Sequence, residues 1–87
     1  ACYIISYDLR KPNRDYESLY AAIRSYGTWA QIHESVWAIV TESPATAVRD
    51  RLMLQMDTDD RLFVIKSGTE AAWRGVICRS EWLKEHL

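Results

Sequence analysis

The sequence predicts an α+β fold in which helices pack on one four-stranded antiparallel sheet. Two observations predict it. Short runs rich in Ile, Val, Tyr and Trp alternate with longer stretches whose apolar residues recur every three or four positions, in the order β-α-β-β-α-β. Turn and cap signals fall between them, at Pro12, Gly27, Ser43-Pro44 and Ser67-Gly68.

The first run, "CYIISY" over 2–7, is short and rich in Ile and Tyr, as a strand should be, and it stops on Asp8. Pro12 then pushes Lys11 out of helical geometry. From Asp15 to Tyr26 the apolar residues Tyr16, Leu19, Ile23 and Tyr26 share one helical face, with Asn13 or Asp15 as the start signal and Gly27 as the stop. "TWAQIHESVWAIVTE" holds two β-patterned runs meeting near His33-Glu34. The second of these, Val36 to Val40, is apolar on both faces and therefore central. Ser43 as a cap with Pro44 at the first helical position opens a second helix, whose face is Ala45, Val48, Leu52 and Met56. "RLFVIKS" (61–67) reads as the fourth strand, "AWRGVIC" (72–78) as a short fifth, and "SEWLKEHL" (80–87) as a terminal helix.

This order is the split βαβ, or ferredoxin-like, arrangement βαββαβ, with two helices on one face of the sheet and a short C-terminal strand and helix added. The whole chain, 1–87, forms one domain, and at this length folding buries only about 60–65% of the unfolded surface. Two helices cover one face only, yet strands one, three and four are apolar at successive positions. A second copy of the sheet is the expected cover, which makes the protein a homodimer.

Composition narrows the function. Net charge is −1, so the molecule as a whole does not attract nucleic acid, but residues 9–14 carry three cations and no acid, while "DTDD" at 57–60 carries three acids. Any phosphate contact is therefore local. Two cysteines, Cys2 and Cys78, make neither a metal pattern nor a disulfide framework, and no signal peptide or spanning apolar run is read. A reduced, cytoplasmic protein without a membrane partner is expected. No cofactor fingerprint points to a metabolic enzyme.

Four short motifs carry a resemblance: Tyr7-Asp8-Leu9 at the end of the first strand, Ser25-Tyr26-Gly27 closing the first helix, Ser35-Val36-Trp37 opening the third strand, and "DDRLFVI" (59–65) leading into the fourth. As an ordered set along nearly the whole chain, they make it resemble the Cas-two family of CRISPR adaptation proteins and the related virulence-associated VapD ribonucleases. The start of the first helix, "RDYES", is less basic than the family pattern, and the hairpin is slightly longer. A stand-alone relative outside a CRISPR locus fits these departures. The resemblance implies a dimeric ferredoxin-like protein, a nuclease in some members and a scaffold in others.

Asp8 is the residue on which this turns. By the resemblance, two copies of Asp8 in a symmetric dimer would share one Mg²⁺ or Mn²⁺, both of which prefer oxygen ligands. Otherwise Asp8 is a loop residue bonding its own turn. Arg10, Lys11 and Arg14 would contact the phosphates of RNA or single-stranded nucleic acid, or else form an ordinary solvated loop. Ser35 is placed near the aspartate by the resemblance, as a hydroxyl for phosphate or water. Its other reading is a residue that satisfies the hairpin backbone. His33 has a suitable ordinary pKa for a general base, but no acid or nucleophile stands at a diagnostic spacing. The function read from all this is a metal-dependent nuclease, with a non-catalytic dimeric binding or scaffold module as the alternative.

Overall fold

A computed structural model describes residues 1–68 and 70–87. Its elements are β1 (Cys2–Asp8), α1 (Glu17–Arg24), β2 (Thr28–His33), β3 (Val36–Val40), α2 (Ala45–Met53), β4 (Arg61–Lys66) and α3 (Ser80–His86). The four strands form one antiparallel sheet in the order β2-β3-β1-β4. That is the ferredoxin-like order, with β3 and β1 central as their two-sided apolarity requires.

Side chains alternate across the sheet, with one register shift in β2 between Gln31 and His33, so the register decides what each face holds. Tyr3, Ile5 and Tyr7 of β1 stand opposite Ile39 and Trp37 of β3 and Val64 and Leu62 of β4. They pack with Leu19 and Ile23 of α1 and Val48 and Leu52 of α2 into the main core. The helical faces are the expected ones, although α1 runs only from Glu17 to Arg24. Asp15 does act at its start, where its Oδ1 accepts the Glu17 N–H at 2.9 Å. Gly27 follows its end with φ at +90°, a conformation that glycine adopts without steric cost. At α2 the expected cap is displaced by one residue. Pro44 itself is the N-cap, and its carbonyl accepts the Val48 N–H, so the Ser43 side chain makes no cap.

The opposite face brings two corrections. Residues 72–78 form no strand. Gly75, at φ +67°, bends the segment, and Ile77 N–H donates to Ile32 O at the sheet edge at 2.8 Å. The segment works as a cover instead. Trp73, Val76 and Cys78, with Trp82, Leu83 and Leu87 around α3, pack on Ala38, Ile32 and Cys2 in a second core. The chain's own C-terminal segment thus covers β2, β3 and part of β1, where a second copy of the sheet was expected. Only the β1–β4 side stays open, with Phe63 and Ile65 60% and 49% exposed. His86 is half-buried, with its ring 4.4 Å from that of Trp82.

Candidate functional site

Asp8 closes β1 and faces Arg61 across the β1–β4 ladder. By strand alternation it lies on the open face, in line with Ser6 and beside the Phe63–Ile65 strip. Its Oδ2 accepts a bond from Arg61 Nη1 at 3.3 Å and lies 3.7 Å from Arg10 Nη1. All three side chains are well exposed, so these contacts are weak and exchangeable. Asp8, Arg61, Ser6 and Phe63 border a shallow depression of about 160 Å³.

The three loop cations do not point into a common open surface. Arg10 is drawn toward Asp8, Lys11 Nζ lies 3.2 Å from Asp59, and Arg14 Nη1 lies 3.5 Å from Asp57. The hydrogen bond that Lys11 donates to Asp59, with the added charges of Asp59 and Asp57, raises the Lys11 pKa. The "DTDD" turn is therefore the counter-charge of the basic loop.

Asp60 fixes the two segments together. Its carboxylate accepts the Arg10 backbone N–H at 2.7 Å, the Asp57 backbone N–H at 2.8 Å, and the Tyr16 hydroxyl at 2.8 and 3.0 Å. Burial pushes this carboxyl up, but these three donors and the nearby Arg14 charge outweigh it, so its pKa is lowered. Neither Asp60 nor its partner Tyr16 stood out as functional in the sequence. The contacts with Tyr16 and Arg10 bridge 44 and 50 positions, and no spacing motif encodes them.

Ser35 sits at the same end of the sheet, where its carbonyl accepts the Tyr7 N–H at 3.1 Å. Its side chain does not share the depression beside Asp8. It borders a cleft on the helix side of the sheet, and Tyr7 lines both. Asp8 and Ser35 are neighbours through Tyr7 without converging on one point. His33 is exposed at the end of β2 and borders neither hollow.

Under the cleft, Tyr7 Oη accepts the buried Trp37 indole N–H at 2.8 Å and donates to Glu34 O at 3.0 Å. Burial raises the Tyr7 pKa, the Trp37 bond opposes this, and Tyr20 nearby adds to the rise, so the hydroxyl stays protonated.

As for metal, one chain does not supply a donor set. Among the described residues no group of three His, Cys, Asp or Glu is placed to hold an ion. Asp8 offers one carboxylate, already in contact with two guanidinium groups. Nor is any helix among the described residues long and apolar enough to cross a membrane. In comparisons with known proteins, no family model and no curated protein matches the chain.

Proposed function

We propose that the protein is a homodimer that cuts RNA or single-stranded nucleic acid, using one Asp8 from each protomer. The observation that carries this is the placing of Asp8 on the same open face as Phe63 and Ile65. A second copy laid on that face would bury the apolar strip and draw two Asp8 carboxylates toward the two-fold axis. Together they would hold Mg²⁺ or Mn²⁺, with phosphate and waters completing the coordination. When bound, such an ion stabilises charge on a phosphodiester and acidifies its water. Arg61 and Arg10, which now contact Asp8, would be the residues to hold the phosphate, a task suited to the guanidinium fork. Both cysteines are free and Cys2 is buried, which suits a reducing compartment such as the cytoplasm.

A second reading, a non-catalytic dimeric module for nucleic acid or protein, is favoured by one observation. Every cation of the 10–14 loop already has a carboxylate partner. The experiment that separates the two is a cleavage assay on labelled single-stranded RNA, single-stranded DNA and duplex DNA, with Mg²⁺, Mn²⁺ or EDTA. Wild-type cleavage should need metal and prefer single strands, and Asp8→Asn should abolish it with the dimer intact. Cleavage that survives in Asp8→Asn removes Asp8 from the site, and absence of any cleavage leaves the binding module.

A further inference from the structure

On the helix side of the sheet, at the end where β1 closes, α1 does not reach across to the β2–β3 hairpin. A cleft of about 450 Å³ is left between them, within the range of about 300–1,000 Å³ that small-molecule sites occupy. Its apolar wall is aromatic. The half-buried Tyr20 ring lies near-parallel to Trp37, with centroids 6.2 Å apart and planes 17° apart, and Tyr7 is adjacent. Its rim is polar. Gln31 projects from β2, and among the described residues its Nε2 makes one long bond, 3.4 Å to Glu34 O, and its amide oxygen makes none. The Ser35 hydroxyl is exposed on the hairpin turn. Across the opening stands Arg24, whose Nη2 is bonded to the exposed Glu17 at 2.6 Å, a pair that solvent and phosphate can both exchange.

We infer that this cleft is a nucleobase pocket, taking one base of a nucleotide or of a single strand against Tyr20. The ligand class follows from the chemistry of the walls. A flat aromatic surface bordered by an amide and a hydroxyl suits a planar ring that carries donors and acceptors in its own plane. A glutamine amide can bond two atoms of a base edge at once, and stacking on an aromatic ring tolerates any base. Arg24 is placed to meet the attached phosphate. The cleft also borders Leu9, so a strand whose base is held here passes the 10–14 loop. The inference deepens the nucleic-acid reading but does not depend on cleavage or on metal.

The test is calorimetric titration of the full chain with the four nucleoside 5′-monophosphates, with ribose 5-phosphate and inorganic phosphate as base-free probes. Nitrogen-resolved NMR of the Gln31 amide and Trp37 indole signals locates the binding. The nucleotides should bind and shift both signals, while ribose 5-phosphate should bind at least about fivefold more weakly, the smallest factor expected for loss of one stacked base. Tyr20→Ala should lower affinity by a similar factor and Tyr20→Phe should retain it. Gln31→Ala, at a half-exposed position, should weaken binding without disturbing the fold. Equal binding of ribose 5-phosphate, or no nucleotide binding at all, overturns the pocket. Nucleotide binding by a protein that cleaves nothing sinks the nuclease and leaves the pocket standing. Cleavage without nucleotide binding does the reverse.

Discussion

At the scale of single residues, Asp60 has the most to hold. Its carboxylate receives the backbone of the β1–α1 loop, the backbone of its own turn and the hydroxyl of Tyr16, so one side chain fixes the path from Arg10 to Tyr16, which includes Lys11 and Arg14. Asn keeps the shape but replaces one acceptor oxygen with a donor, and so at least one of these bonds is lost. Asp60→Asn should therefore destabilise the fold by about 1–2 kcal/mol, because hydrogen bonds to a charged acceptor are worth about 1.5–3 and partial exposure screens them. Urea unfolding at neutral pH measures this. The pH dependence has a defined sign. The folded-state pKa of Asp60 lies below its ordinary value of 3.8, so the ionised form favours the fold. Its contribution is complete above 3.8 and is lost as pH falls through the folded value. Stability of the wild type should drop more steeply below about pH 4 than that of the Asn variant. Parallel acid-unfolding curves for the two proteins would show that Asp60 contributes nothing specific.

At the scale of elements, the acidic turn lies on the basic loop and occupies its cations as phosphates would. Asp57→Asn with Asp59→Asn takes the net charge from −1 to +1 and releases Lys11 and Arg14. Exposed pairs of this kind contribute about 0–1 kcal/mol each, so the fold should hold. Affinity for single-stranded RNA should rise several-fold at low salt and the gain should shrink as salt increases. Filter binding across a salt series reads both, and unchanged affinity would remove the loop from the ligand surface. What could be read in advance follows the same scale. The strands, the helix faces and the centrality of β3 were legible because each is a local period or a cap, and Asp8 could be placed at the end of β1 because the apolar run stops there. The pairing of the 57–60 turn with the 10–14 loop was not, since both look like solvated surface until the topology joins them. Residues 72–78 misled for a related reason. Trp73, Val76 and Cys78 are apolar because they cover a sheet face, and nothing in their spacing separates a cover from a strand. The cleft beside Tyr20 was hidden because its walls come from α1 and from the β2–β3 hairpin, which only the tertiary packing sets side by side.

At the scale of the whole molecule, the question is what covers the β1–β4 side of the open face. The C-terminal segment covers the rest of that face, so the apolar surface left open on it is Phe63, Ile65 and their surroundings, flanked by the charged pair Asp8 and Arg61. An apolar centre with a charged margin is how protein interfaces are built. A standard interface takes about 800 Å² from each partner, roughly a seventh of the 5761 Å² exposed by this chain. The strip alone is smaller than that, so a dimer through it must also enclose the strand ends, and Asp8 is one of them. Phe63→Glu tests the consequence. Phe63 is already 60% exposed, so the monomer should fold as before, with unchanged circular dichroism. If the protein is the proposed dimer, two like charges facing each other across its two-fold axis should nevertheless convert it to a monomer in light scattering. If the two Asp8 carboxylates share one ion, that monomer must also lose metal-dependent cleavage while keeping any nucleotide binding in the Tyr20 cleft, which lies on the other face. A Phe63→Glu monomer that still cleaves would show that each chain is complete in itself, and the paired-aspartate site would then be wrong whatever the oligomeric state of the wild type.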